Sequence, residues 1–483
     1  MIARRSLLKY AGAVPLLGAA PRLVQAADES APEKADHTLH IANGLVELAP
    51  DHVVSTTLYN GAFPGPLLRL KEGRRVVVDI VNDTDTPELV HWHGQMIASD
   101  VDGAAEEGSP YVPAHGKRRV AYVPKPAGLR FYHTHVVAGA DLSRGTYTGQ
   151  AGPVYIEPAH DPGAYDREIF LVLKEFGPSF SHGGDMASDM LVGTPETALQ
   201  ETGRQADAAA RTKLKGYEVD YAFFGINGKM LGHGEPLRVK EGERVLLHVL
   251  NASATEIRSL ALPGHVFRVV ALDGNPVPTE AEVPVLWLGT AERISALVEM
   301  NHPGVWVLGD LDDDDRRHGM GIVVEYAGRS GKPQWATPKP FRWDYARFAR
   351  PGAAAPAPDE TMDFLIVKHN GADHGFNRWT LNGKAFSMAT MQPVYPLHQG
   401  RRYRLKFRNA SDDVHPLHLH RHSFELTHIG ARPTAGVIKD VVMLGGFQEL
   451  AFDFLADNPG LTLFHCHQQL HMDFGFMTLF NYV

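Results

Sequence analysis

The run Pro66-Leu67-Leu68-Arg69-Leu70-Lys71-Glu72-Gly73, followed by Arg74 to Val81 and closed by Asn82, decides how this chain folds. Asn60-Gly61 stands before it. The same order returns as Asn227-Gly228, Pro236-Leu237-Arg238-Val239-Lys240-Glu241-Gly242, Glu243 to Leu250, and Asn251. It returns again as Asn382-Gly383, Pro396-Leu397-His398-Gln399-Gly400, Arg401 to Arg408, and Asn409. The Gly-to-Asn spacing is nine residues in all three copies (73 to 82, 242 to 251, 400 to 409). The residues after each Gly alternate polar with apolar or β-branched side chains, which is the pattern of a half-buried strand. The flanking Gly and Asn are turn residues.

A second repeat closes each copy. Gly128-Leu-Arg-Phe-Tyr precedes His133-Thr134-His135, and Gly460-Leu-Thr-Leu-Phe precedes His465-Cys466-His467. Pro303-Gly304-Val-Trp-Val-Leu precedes Gly309-Asp310-Leu311. Three all-β units follow, at residues 37–158, 165–328 and 358–483, and short strands with many turns predict sandwiches. Linkers fit at residues 157–163 and in the Ala/Pro tract 351–358. Ala198 to Leu214, rich in Ala, Gln and Glu, reads as a helix or a mobile excursion within the middle unit.

The chain has 483 residues, 26 histidines and one cysteine, so no disulfide framework holds it together. Residues 1–26 read as a targeting signal. Arg4-Arg5 precedes an apolar stretch from Tyr10 to Ala20, and Val24-Gln25-Ala26 fits a cleavage site. The paired arginines favour a Tat-type signal, and with it a periplasmic or secreted protein. No other stretch is apolar and long enough for stable membrane insertion. Losing Arg4, Arg5, Lys9 and Arg22 takes the net charge from -9 to -13, a poor balance for binding nucleic acid.

The repeat also places histidines. Nine and eleven residues after Asn82 come His91 and His93; after Asn409 come His418 and His420; after Asn251 come Leu260 and Leu262. The outer units therefore carry His-X-His at two equivalent places each, giving His91, His93, His133, His135 and His418, His420, His465, His467. Alternate strand residues share a face, so each His-X-His presents two imidazoles side by side. One such pair is readily explained by packing. Four at equivalent positions predict a shared site for more than one metal ion, with imidazole suited to Cu, Zn, Fe or Ni. Cys466 then points away from His465 and His467. Taken alone a single Cys is a small buried hydrophobe, but here His415 and His471 are near enough in sequence to complete a His2Cys set, the composition of a blue-copper electron-transfer site.

His91-Trp92-His93-Gly94, His133-Thr134-His135, His415-Pro416-Leu417-His418-Leu419-His420 and His465-Cys466-His467 with His471 together resemble the four copper motifs of the three-domain multicopper oxidases. The resemblance covers essentially all of the chain after the signal. It implies three cupredoxin-like Greek-key β-sandwich domains and four copper ions. Type 1 copper would sit on His415, Cys466 and His471, type 2 on His91 and His418, and the type 3 pair on His93, His133, His135, His420, His465 and His467. The implied reaction couples one-electron oxidation of a reducing substrate to reduction of O2 to water. Cys466, joined through the backbone to two histidines of the cluster, is the expected electron bridge. Asp102, eleven residues after His91, is the expected proton relay.

Two positions depart from the family pattern. Phe476, ten residues after the cysteine, replaces an axial Met and cannot coordinate, which predicts a relatively high type 1 potential. Met477 should face the other way. Met472 stands where relatives carry a proton-delivering Glu, and whether Asp473 replaces it is open. His422 and His428 read as packed or solvated, Asp440 as structural, and Asp312 to Asp315 as a solvated loop.

The expected partners are O2, a reducing small molecule or metal ion, and the Tat export machinery, with the chain a monomer. The main reading is a laccase-like oxidase of phenols. The alternative is a periplasmic metal oxidase acting on Cu(I), Mn(II) or Fe(II). Thioether clusters, which would favour Cu(I), are sparse: Met186/Met190 and Met388/Met391 are the nearest approach. A copper-free structural relative is disfavoured because every ligand position is filled.

Overall fold

The Asn-Gly pairs make one turn three times over. In the computed structural model, which describes residues 33–159, 163–182, 190–209 and 215–483, Asn60, Asn227 and Asn382 have φ of 52°, 52° and 51°. Gly61, Gly228 and Gly383 follow at 70°, 75° and 74°. Two successive positive φ values suit a two-residue turn between twisted strands, and Asn-Gly adopts them at least cost. Each Asn side chain also ties its turn to the first strand of its block. Asn60 accepts from the His40 N–H and donates to the Thr38 carbonyl. Asn227 does the same with Val172 and Phe170, and Asn382 with Leu365 and Asp363.

The segments after the repeat glycines are the strands Val76–Asn82, Arg244–Asn251 and Arg402–Asn409. Each runs parallel to the first strand of its block in the same register: Ile41 lies opposite Asn82, Leu173 opposite Asn251 and Ile366 opposite Asn409. The closing asparagines pin the loop that follows. Asn82 donates to the Thr86 and Val112 carbonyls, Asn251 to those of Glu256 and Leu288, and Asn409 to those of Asp413 and Gly445.

The strands group in three successive blocks. In the first, the sheet of His37–Ala49, His52–Tyr59, Val76–Asn82 and Gly116–Tyr122 faces a second of Leu68–Lys71, His91–His93, Gly128–His133 and Ala151–Glu157. Leu39, Ile41, Val78, Ile80, Trp92, Val154 and Ile156 fill the space between them. The second block has a six-stranded sheet running from Glu218–Ile226 to Asn275–Val283, with smaller sheets beside it. The third pairs a six-stranded sheet with the five strands Val394–Leu397, Met477–Tyr482, Thr462–Cys466, His415–Leu419 and Val441–Leu444.

This arrangement positions the histidines. His91 lies opposite His133 across one antiparallel pair, and His418 opposite His465 across the other. The corresponding Leu260 and Leu262 of the middle block are buried in core. Helix Thr197–Ala209 begins one residue before the expected span of 198–214, and Leu199 packs against Val367 and Ala410; residues 210–214 lie outside the described ones. So do the expected export signal and Met186.

Asp312 to Asp315 differ from the solvated loop expected. Asp312 caps a short helix, Asp313–Arg317, by accepting from the Asp314 and Asp315 N–H groups. Asp315 pairs with the fully buried Arg258. A run of acids next to two arginines does not reveal that its partner lies 57 residues upstream in sequence.

Candidate metal centres

The eight histidines meet between the first and third blocks, all of them buried. They fall into two trios and a pair. His135, His420 and His465 have ring centroids 4.9, 5.3 and 5.1 Å apart. His93, His133 and His467 are 5.6, 5.0 and 5.1 Å apart. His91 and His418 stand 5.9 Å from each other, with His91 stacked on His420 and His418 on His93. Each trio draws on both blocks.

The backbone chooses which nitrogen faces inward. Nδ1–H of His133, His418 and His465 donates to the carbonyls of Thr134, Asp440 and Cys466 at 2.7, 2.7 and 2.9 Å. His91 Nδ1 donates to the Asp102 carbonyl at 3.0 Å and His420 Nδ1 to the Asp102 carboxylate at 2.9 Å. A neutral imidazole that donates at one nitrogen has a lone pair at the other, so these five rings turn Nε2 lone pairs into the shared space. His93 is reversed: its Nε2 lies 3.1 Å from Asp440 Oδ1, leaving Nδ1 inward.

Burial first, and neighbouring imidazoles second, hold His93, His133, His418, His420, His465 and His467 well below the ordinary histidine value. His135 is pushed down to about 3 by the same causes. Nε2 of His91, His133 and His418 and Nδ1 of His93 are buried with no hydrogen-bond partner, and His135 and His467 have neither nitrogen satisfied. His420 Nε2 and His465 Nε2 face each other at 3.0 Å, both as lone pairs. Buried acceptors without donors are costly. Lone pairs aimed at one another need a cation between them, so the donor set fits metal ions.

A third group lies on the far side of the Thr462–Cys466 strand. Cys466 Sγ is 3.7 Å from His415 Nδ1 and 3.4 Å from His471 Nδ1, and the two Nδ1 atoms are 3.1 Å apart. His415 Nε2 is held by Ser411 Oγ at 2.9 Å. Burial pushes the Cys466 thiol up, so only a bound cation would make it a thiolate. Phe476 packs edge-on against His415 at 4.8 Å, and Met477 packs instead with Leu463 and Leu479. Among the described residues, the groups able to hold a metal therefore include those expected: His415 with Cys466 and His471, and trios drawn from the eight histidines.

The carboxylates nearby were only partly foreseen. Asp102 is in place, with Oδ1 buried and unpartnered. Glu107, behind it, accepts from the Leu463 N–H at 2.6 Å; burial and then Asp102 push it well above the usual carboxylate range. Glu106 lies 3.7 Å from His135, and burial pushes it up to about 7. Asp473 accepts from the Ala138 and Gly139 N–H groups at 2.9 and 2.7 Å and from Gln469; burial pushes it up to about 7. Asp440, read from the sequence as structural, makes a contact to His93 that the sequence did not show. It was missed because its partner is 347 residues away in sequence. His422 is packed, bonded to the His420 carbonyl and the Tyr482 hydroxyl. His428 is half-buried beside Thr427.

His471 is 2% exposed. Trp379 covers it with ring centroids 4.0 Å apart. The Trp379 N–H donates to the Phe474 carbonyl, and rings continue outward from there. Phe474 stacks on Phe376 at 4.3 Å, and Phe376 meets Tyr217 at 5.0 Å and Phe180 at 5.2 Å. His182 stacks on Tyr217 at 4.6 Å, and both Phe180 and His182 reach the surface.

The profile of the multicopper oxidase family matches residues 41–161, 197–319 and 358–483. The chain is similar to a multicopper oxidase, MmcO, of Mycobacterium tuberculosis: 30% identical over 440 residues, spanning 89% of this chain and 84% of the relative. Laccase-3 of Thanatephorus cucumeris is 25% identical over 92% of this chain and 90% of its own. Among solved structures, a multicopper oxidase of Pseudomonas thermotolerans has the same fold, with a TM-score of 0.68 at 24% identity over 93% of this chain and all of that one.

Proposed function

The chain belongs to the multicopper oxidases, three-domain copper oxidoreductases that use O2, and from that premise we propose a laccase-like enzyme whose electron donors are phenols or similar aromatic reductants. The observation that carries the copper assignment is the set of buried imidazole lone pairs without partners. Copper, four ions in this family, supplies one-electron steps that take electrons singly from the donor and deliver four to O2, giving water.

The residues divide the work. His415, Cys466 and His471 would hold type 1 copper, His91 and His418 type 2, and His93, His133, His135, His420, His465 and His467 the type 3 pair. Cys466 joins the first set to the others through its peptide bonds to His465 and His467, the shortest covalent route for an electron. Asp102 fixes both His91 and His420, which puts its carboxylate in position to pass protons to reduced oxygen. Asp102→Asn keeps the shape and loses the proton carrier. Oxidase turnover should fall about 10²–10⁴-fold in variant protein loaded with four coppers; wild-type turnover in that fully loaded variant would overturn the role.

The donor class rests on what surrounds His471. The ring series from Phe180 and His182 to Phe474 and Trp379 suits a flat aromatic reductant. The alternative, oxidation of a metal ion, would draw on Asp412 and Asp413, but these are already engaged. Lys368 bonds both, and the Trp379 indole N–H donates to Asp413. Phenol turnover without added Cu(II) should exceed Cu(I) oxidation. Phenol oxidation that appears only when Cu(II) is added would favour the metal oxidase.

Export rests on Arg4-Arg5 and the apolar segment after it; among the described residues no helix is long and apolar enough to cross a membrane. That all eleven candidate ligands converge within one chain supports a monomer.

A further inference from the structure

We propose that Asp440 is a positioning residue for two histidines of the trinuclear site, and that Arg293 of the ligand-free middle block holds it in place. This rests on the reading of His93 and His418 as copper ligands.

Asp102 and Asp440 do corresponding jobs from opposite sides. Asp102 gives its backbone carbonyl to His91 of its own block and its carboxylate to His420 of the third. Asp440 gives its carbonyl to His418 of its own block at 2.7 Å and its carboxylate to His93 of the first at 3.1 Å. His93 and His420 are equivalent in the repeat, as are His91 and His418. The bonded atom differs. Asp102 takes Nδ1 of His420, whereas Asp440 takes Nε2 of His93. A carboxylate can only accept here, so Nε2 carries the His93 proton and Nδ1 keeps the lone pair. Asp440 thereby turns one ring of the eight end for end.

The carboxylate is itself clamped. Arg293 binds it in a fork, Nη1 to Oδ1 and Nη2 to Oδ2, both at 2.6 Å. Arg130 adds Nη1 to Oδ2 at 3.2 Å. All three side chains are fully buried. The fork fixes the plane of the carboxylate, and that plane sets the direction of the bond to His93. Asp273 accepts from the Asp440 and Val441 N–H groups at 3.2 and 3.1 Å and holds the backbone that presents the His418 acceptor. The middle block thus enters the site without supplying a ligand.

Loss of a hydrogen-bond partner behind a metal-bound histidine typically weakens metal binding 10–100-fold. Asp440→Asn should therefore lose trinuclear copper about 10–100-fold more readily under chelation, and Arg293→Lys, which keeps the charge without the fork, should do so to a smaller extent. Both should keep the blue type 1 absorption, because His415, Cys466 and His471 do not touch Asp440. The type 2 electron paramagnetic resonance signal and the near-ultraviolet band of the coupled pair should change, which a merely structural role would not produce in protein that stays blue. Asp440→Asn with four firmly held coppers and wild-type spectra would overturn the proposal. Should the variant lose type 1 copper as well, ¹⁵N NMR of the wild-type apoprotein decides: His93 protonated at Nε2 supports it, and His93 protonated at Nδ1 overturns it. Wild-type protein that binds only type 1 copper would instead overturn the site reading beneath it.

Discussion

Phe476 shows how much one side chain can set at the type 1 site. Its buried ring packs edge-on against His415. A copper held by His415, Cys466 and His471 would have a phenyl ring beside it in place of a weak thioether donor, which should disfavour Cu(II) and raise the potential. Phe476→Met exchanges side chains of similar volume, so the fold should tolerate it. The type 1 potential should then drop; a tenfold gain in preference for Cu(II) is about 59 mV for one electron. Redox titration of the blue absorption checks this, and an unchanged potential would place residue 476 away from the metal. At this scale the sequence was legible wherever the repeat acted. Asn82 and Asn409 count off His91, His93, His418 and His420 because each strand must leave the same pinned loop in the same register. Asp440, Arg130 and Arg293 carry no such count. Their roles come from tertiary contacts among three blocks, and a lone acid or arginine on a strand does not reveal its partner.

The helix Thr197–Ala209 lies on the strand Glu360–Asp373 beside the strand that leads to the type 1 ligands. Leu199 anchors it, but Gly203 sets how close it comes: a Cβ there would run into the Ala410 carbonyl oxygen. Gly203→Ala would ordinarily favour a helix by about 0.5–1 kcal/mol. Here it should push the helix off the strand. Amide hydrogen exchange in residues 197–209 should quicken, and slower exchange would mean the helix has room to spare. Its Ala, Gln and Glu content left a helix or a mobile excursion open, and the chain forms the helix. Its seat was not readable, because a small residue on a helix face looks the same whether it meets a backbone or solvent. The ring series beyond Trp379 was illegible for a related reason: Phe180, His182, Tyr217, Phe376 and Phe474 come from four separate segments.

Across the whole molecule a buried charge network ties the blocks together. Lys439 pairs with Asp273 and Glu292, and Arg293 with Asp273 and Asp440. Burial works to raise Asp273, but Lys439 and Arg293 outweigh it and hold the carboxylate below its ordinary value. Asp273→Ala removes one carboxylate partner from each of two buried cations, leaving Lys439 only Glu292 and Arg293 only Asp440, and should cost up to about 3–5 kcal/mol, measured by denaturant unfolding. A depressed acid stabilises the fold above its unfolded pKa and loses that contribution as pH falls through the folded value. The gap between wild type and variant should therefore be full near pH 7 and narrow toward about pH 3. A gap independent of pH would mean that Asp273 acts through packing alone. Three sandwiches were legible from three repeats, whereas the network joining them was not, since no periodic pattern marks a contact between blocks.

The division of each trio between the first and third blocks also sets an order in time. His91, His93, His133 and His135 leave the ribosome hundreds of residues before His465 and His467. At roughly 5–20 residues per second, tens of seconds separate the two halves. Through that interval the first block presents four imidazoles without their partners from the third, and imidazole binds zinc and nickel as well as copper. The nascent chain is thus a trap for whichever ion arrives first. Correct loading depends on copper being the ion at hand when the last strand closes.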